Sequence, residues 1–329
     1  MKIAFFSTKS YDEVYFQLKN DKQHKIKFFD TRLDENTVKL CDGSDAICVF
    51  VNDQVNAQVI EKLSGMDIRL ILLRCAGFNQ VDLNAASDFS MKVYRVPAYS
   101  PEAVAEHAVA LILTLNRKTH KAYSRIRELN FSVERLIGFN LHQKKVGVIG
   151  TGKIGAAFCG IMLGFGAEIF AFDKYEQEEL KKAGVHYVSQ DECFKNSEII
   201  SLHCPLNEET KYLINKESIR KMKDGVMLIN TSRGGLVDTK AVIDGLKHKK
   251  IGYLGIDVYE QEEKLFFEDY SETIIQDDMI ARLLTFPNVL ITSHQGFLTN
   301  EALEQIAMVT FKNIETFENS EHSDNEVSI

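Results

Sequence analysis

The stretch Val146-Gly-Val-Ile-Gly-Thr-Gly-Lys-Ile-Gly155 decides how this chain is read. A short β-branched apolar run ends on glycines at 150, 152 and 155, and a helical pattern, Ile154–Leu163, opens on the last of them. Strand, glycine loop and helix in that order predict a phosphate-binding turn. The first glycine permits the tight turn, the second lets the backbone approach a pyrophosphate, and the third lets helix and strand pack closely. The helix N-terminus offers further N–H groups to the anion. A second apolar run, Phe170-Ala-Phe-Asp173, places an acid 18 residues past the last glycine, where a carboxylate accepts hydrogen bonds from an adenosine ribose. The segment therefore reads as a dinucleotide site built on Gly150, Gly152, Gly155 and Asp173. Asp173 would repel a 2′-phosphate, and no arginine follows in Lys174-Tyr-Glu-Gln177, although Lys174 offers partial compensation. NAD is expected over NADP.

The same alternation of strand and helix runs through most of the chain. Before the glycine turn, strand patterns fall at Lys2–Ser7, Lys25–Asp30, Ala46–Val51, Leu70–Leu73 and Lys92–Val96, with an amphipathic helix at Asn56–Met66. After Pro97 and Pro101 a long apolar helix is predicted from Ala103 to about Lys121, with Glu102 in its first turn and basic residues near its end. A second series of strands follows at Lys145–Ile149, Glu168–Phe172, Ile199–His203, Val226–Asn230, Leu254–Val258 and Val289–Thr292, and a last helix spans Glu301 to about Phe317. Alternation of this kind implies parallel sheets covered on both faces. The acidic tail, Glu321 to Ser328, reads as disordered.

A chain of 329 residues is too long for one ordinary core and fits two domains. Its net charge of -8 argues against a nucleic-acid partner, which needs a dense basic face. The six cysteines lack the short spacing of a redox pair or a zinc site and sit mostly in apolar runs, so they read as small buried hydrophobes. The apolar run in Met1–Ser7 is too short for a secretory signal, and the longest apolar stretch, around Ala108 to Leu115, is far short of a membrane span. A cytoplasmic protein that meets no membrane is expected. No metal site is expected either, because no His and carboxylate cluster appears at ligand spacing.

Three later strand ends carry side chains suited to reducing a ketone. They are Asn230-Thr-Ser-Arg-Gly-Gly-Leu-Val-Asp238, Gly255-Ile-Asp-Val-Tyr-Glu-Gln-Glu262 and Thr292-Ser-His-Gln-Gly296. The carboxyl ends of strands in an open α/β sheet border the ligand crevice, so the three can converge. Arg233 suits a substrate carboxylate, because its planar fork makes two parallel charge-assisted bonds. His294 suits proton delivery near neutral pH, and a carboxylate partner would orient it.

At these residues the chain resembles the D-isomer-specific 2-hydroxyacid dehydrogenases over essentially its whole length. The shared blocks include Leu73-Arg-Cys-Ala-Gly-Phe-Asn-Gln-Val-Asp82, Val96-Pro-Ala-Tyr-Ser-Pro-Glu-Ala-Val-Ala-Glu-His107, Gly150–Gly155, Ser201-Leu-His-Cys-Pro-Leu206, Asn230–Asp238, Asp257–Glu262 and Ser293–Phe297. It is especially similar to the fermentative branch, which interconverts pyruvate and D-lactate with NAD. The resemblance implies that Arg233 binds the substrate carboxylate, that His294 donates the proton and that Glu262 pairs with His294. Glu260 and Glu263 flank Glu262, and only the five-residue offset from Asp257 favours it. Backbone N–H groups at Ala76 and Gly77 would also hold the carboxylate, with Tyr99 and Phe297 bordering the substrate. Lys153, Ile154, Asp173, Cys204, Pro205, Thr231, Ser232, Arg233 and Asp257 would line the cofactor.

The family's topology implies two Rossmann-like or flavodoxin-like parallel-sheet domains with the active site in the cleft between them. The substrate domain would be discontinuous, 1–100 with 297–329, and the NAD-binding domain would span 101–296. A homodimer or higher homo-oligomer, joined through the nucleotide domain, is also implied. One departure is Gln295-Gly296, where relatives more often carry Ala before the aromatic. Hydroxypyruvate or another small 2-ketoacid is the alternative substrate. A phosphoglycerate dehydrogenase is disfavoured because the chain ends soon after the last helix, and a formate dehydrogenase because it would pair the histidine with an amide. An NAD-sensing corepressor is a further alternative, disfavoured by the lack of basic or disordered extensions.

Overall fold

Strands form where runs of apolar and β-branched residues stop at polar or glycine breaks, and in both sheets the central ones are apolar on both faces. The computed structural model describes residues 1–21 and 23–328. It divides into two compact units, Met1–Ser100 with Phe297–Ile329, and Pro101–Gly296. Both are parallel α/β layers, the fold class that the sequence predicts.

The first unit holds β1 (Lys2–Phe5), β2 (Lys25–Phe28), β3 (Ala46–Val49), β4 (Leu70–Leu73) and β5 (Lys92–Arg95), in the order β2-β1-β3-β4-β5, all parallel. Every residue of β3 and β4 is buried, as helices on both faces require. Edge strand β2 instead alternates exposed and half-buried positions. The returning helix Asn300–Glu318 packs on helix Ser10–Lys19, where the rings of Phe311 and Phe16 lie 5.7 Å apart.

The tail departs from expectation. Arg95 N–H donates to Asn325 O (3.0 Å), Val327 N–H donates to Val93 O (2.8 Å), and Lys92 pairs with Glu326 at 2.6 Å. The bridge between Tyr94 and Glu326 is antiparallel. The open edge of β5 supplies unpaired backbone groups that satisfy this segment, a driving force that composition does not reveal.

The second unit holds β6 (Lys145–Ile149), β7 (Glu168–Phe172), β8 (Val185–Tyr187), β9 (Ile199–Leu202), β10 (Val226–Asn230), β11 (Ile251–Ile256) and β12 (Val289–Ile291), in the order β12-β11-β10-β9-β6-β7-β8. All pairs are parallel. The connection direction reverses between β6 and β9, which opens a crevice at their carboxyl ends.

Three local expectations need correction here. Strand β8 is too short to signal itself, and β11 begins at Ile251 rather than Leu254. The long helix breaks at Lys118, whose φ of +51° separates Pro101–Arg117 from Thr119–Arg127. The apolar stripe ending with Leu115 stops there, and the second piece buries no residue. Among the described residues no helix is long and apolar enough to cross a membrane.

Candidate active site

The three glycines of the loop after β6 are glycines for different reasons. Gly150 has φ +92°, and a Cβ there would meet Cys204 N at 2.7 Å. A Cβ at Gly155 would lie 2.0 Å from Gly150 O, so helix Lys153–Gly164 can approach the strand only with glycine at that point. A Cβ at Gly152 would meet nothing within 4 Å, and its φ of -59° suits any residue. Protein packing therefore does not demand a glycine at 152, whereas close approach of a phosphate would. Lys153 and Ile154 occupy the first turn of that helix.

Asp173, just past β7, accepts from Thr151 N–H (2.6 Å), Thr151 Oγ1 (3.2 Å) and Tyr175 N–H (2.9 Å), which fastens the glycine loop to the neighbouring strand end. Tyr187 of β8 and Gln177, the N-cap of helix Glu178–Lys182, also hold Thr151. Lys174 is engaged by Glu209, which removes it as a ready partner for a 2′-phosphate.

Beyond β9 and β10, Ser232 Oγ donates to Cys204 O (2.6 Å), joining the two strand ends, and Pro205 follows. Burial pushes the Cys204 thiol up to about 11, so it stays protonated and is no nucleophile at neutral pH. Thr231 Oγ1 is buried and has no hydrogen-bond partner, and a bound polar ligand is what would satisfy it. Asn230 accepts from Ser232 N–H (3.0 Å) and donates to Arg233 O (2.9 Å). Arg233, half-buried, donates to Ser232 O (2.7 Å) through one nitrogen of its fork.

The ends of β11 and β12 meet at His294. Its Nδ1 lies 2.8 Å from Glu262 Oε1, with both side chains mostly buried, and the other oxygen of Glu262 accepts from Tyr259 N–H (2.8 Å). Glu260 is turned elsewhere, toward Tyr212 and Thr239. His294 has φ +49°, a conformation that a β-carbon disfavours. Asp257 sustains it. Asp257 O accepts from His294 N–H (2.8 Å), and its carboxylate accepts from the next two amides, Gln295 (2.9 Å) and Gly296 (2.8 Å).

Burial alone would push the Asp257 carboxyl up. The bond to His107 (3.2 Å), its charge, and the Thr292 and Gln295 donors outweigh burial and leave it below the usual carboxylate range. A Cβ at Gly296 would sit 3.0 Å from Asp257 Oδ2, so a side chain there would press on the carboxylate that holds the turn. Nothing along the chain marks His107 as the group that supports Asp257. The two lie 150 residues apart, and only the pairing of helix Pro101–Arg117 with the strand ends reveals the contact.

In the first unit, Ala76 and Gly77 occupy the loop after β4. Tyr99 meets Phe297 edge-on with ring centroids 6.2 Å apart, and Phe50 lies 5.8 Å from Phe297. Among the described residues no group of three or more His, Cys, Asp or Glu is placed to hold a metal ion.

The family described as D-isomer specific 2-hydroxyacid dehydrogenase, NAD binding domain, matches residues 109–296. A 2-hydroxyacid dehydrogenase homolog of Haemophilus influenzae is 54% identical over 95% of either chain. The D-lactate dehydrogenase of Escherichia coli is 50% identical over 99% of this chain and 100% of its own. An apo structure of the D-lactate dehydrogenase from Escherichia coli superposes with a TM-score of 0.92 at 47% identity, covering 99% of this chain and 100% of that one.

Proposed function

Since the chain belongs to the D-isomer-specific 2-hydroxyacid dehydrogenases, an NAD-binding family, we propose that it reduces pyruvate to D-lactate. The observation that carries the mechanism is the 2.8 Å contact between His294 Nδ1 and Glu262, at the carboxyl end of the same parallel sheet as the glycine turn. Glu262 claims Nδ1–H and leaves Nε2 as the nitrogen that faces substrate. A proton sits on Nε2 as well only when the ring is charged, so charged His294 drives reduction and neutral His294 drives oxidation.

NADH, when bound, would supply the hydride, and Nε2 of His294 would give its proton to the carbonyl oxygen. Arg233 receives the substrate carboxylate with the fork nitrogens not used on Ser232 O. The Ala76 and Gly77 amides are donors suited to a substrate carboxylate, and Tyr99 and Phe297 are suited to limit the substrate's size. Gly150, Gly152, Gly155, Lys153 and Ile154 hold the pyrophosphate. Asp173 takes the ribose, while Cys204, Pro205, Thr231, Ser232 and Asp257 line the rest of the cofactor.

The enzyme works as at least a homodimer. The support is an exposed apolar run, Tyr123, Ile126, Leu129, Phe131, Val133 and Ile137, beginning on a helix that buries none of its own residues. A cytoplasmic location accords with six buried cysteines that remain free thiols. The test is pyruvate-dependent oxidation of NADH with chiral analysis of the lactate formed, run against a panel of 2-ketoacids. His294→Ala should remove most activity, and the wild-type forward and reverse rates should respond oppositely to pH. Absence of turnover with pyruvate, or faster turnover of hydroxypyruvate, would reassign the substrate.

A further inference from the structure

The loop after β4 offers its backbone in one sense only. Four successive carbonyls are engaged: Cys75 O by Val96 N–H (3.2 Å), Ala76 O by the Arg95 guanidinium (3.1 Å), Gly77 O by the Cys75 thiol (3.3 Å) and Phe78 O by Val81 N–H (3.1 Å). The N–H groups of Ala76 and Gly77 donate to no group among the described residues. A half-buried loop with carbonyls engaged and amides free is an anion cradle.

Arg95 is placed to tune that cradle. The carbonyl it bonds, that of Ala76, belongs to the same peptide unit as the Gly77 N–H. A cationic donor on the oxygen draws charge through the amide and makes the N–H a stronger donor. The guanidinium also lies 5.3 Å from the Phe78 ring, so it braces both sides of Gly77. Its own backbone is fixed by the tail and the last helix. Arg95 N–H donates to Asn325 O (3.0 Å), Arg95 O accepts from Asn313 Nδ2 (3.0 Å), and Asn325 Nδ2 donates to Asn313 Oδ1 (2.8 Å). We propose that Arg95 is a positioning residue for substrate binding: through the Ala76–Gly77 peptide it orients and polarises the amide that receives the substrate carboxylate. The inference rests on the function proposed above.

The experiment compares wild type, Arg95→Met and Arg95→Lys by pyruvate kinetics at saturating NADH, alongside NADH affinity by fluorescence. Methionine keeps the stem against Phe78 and removes every donor. In Arg95→Met, KM for pyruvate should rise about tenfold, as loss of one assisted hydrogen bond implies. kcat should stay within about threefold, with NADH affinity unchanged, a split that general disordering of the fold would not produce. Arg95→Lys, with charge but no fork, should fall between. A folded Arg95→Met enzyme with wild-type KM overturns the inference, as do parallel losses of kcat and NADH affinity. If Arg95→Met does not fold, Arg95→Lys decides, and an unchanged KM there counts against it. A wild type inactive on every short 2-ketoacid overturns the proposed function and this inference together, whereas an active wild type with insensitive variants overturns this inference alone.

Discussion

Replacing Gly152 and Gly155 separately by alanine should separate cofactor binding from folding. At Gly155 the added methyl would stand 2.0 Å from the Gly150 carbonyl oxygen, a backbone atom that moves only if the loop and helix part. Overpacking of this kind costs about 1–3 kcal/mol, so the cofactor-free Gly155→Ala protein should melt several degrees below wild type. At Gly152 the methyl meets no protein atom, and φ -59° is compatible with alanine. Stability should hold or rise by about 0.4–1 kcal/mol, because the unfolded chain loses freedom. If the pyrophosphate passes over Gly152, the same methyl displaces it from the helix N-terminus. Loss of one charge-assisted bond, about 1.5–3 kcal/mol, weakens NADH roughly 10- to 100-fold. Thermal unfolding without cofactor and fluorescence titration with NADH measure the two effects independently. A Gly152→Ala protein that binds NADH as tightly as wild type would refute the assignment of this loop to the pyrophosphate.

Three other perturbations follow from the geometry. Arg233→Lys keeps the charge and loses the fork, so kcat/KM for pyruvate should fall about 10²-fold; unaltered steady-state kinetics would place the carboxylate elsewhere. Asp173→Ala removes both an acceptor and a like charge, so the preference for NADH over NADPH should narrow in paired Kd measurements; a wild type that already prefers NADPH contradicts this role for Asp173. Burial lowers the His203 imidazole to about 3, whereas the unfolded chain takes up that proton near pH 6.5. The unfolded state therefore binds more protons between these values, and stability drains away as pH falls through that window. His203→Gln should make the melting temperature less sensitive to pH between 4 and 6, and an unchanged slope would show that His203 does not contribute.

How much of this was legible beforehand depends on the range of the interaction concerned. Val146–Gly155 announces its strand, turn and helix because steric limits at glycine and runs of β-branched residues act within a few positions. The same local signals located every strand of both sheets except β8, where three residues, Val185–Tyr187, are too few to establish a pattern. Resemblance added roles for Arg233, His294 and Glu262, and adjacency in the chain could not choose among Glu260, Glu262 and Glu263. Tertiary structure turns Glu260 toward Tyr212 and Thr239 and Glu262 toward His294.

The docked tail, the His107–Asp257 contact and the Arg95–Ala76 bond belong to the same class. Each joins groups distant in sequence whose partner exists only after the sheet has assembled. The sequence by itself determined which segments become strands, β8 apart, and where the glycine loop must turn, because those depend on backbone sterics and on the burial of nearby side chains. Which carboxylate faces which imidazole, and which carbonyl a guanidinium finds, only the tertiary structure decided. A buried polar group takes whatever partner the assembled fold brings within about 3 Å, and that choice leaves no periodic trace along the chain.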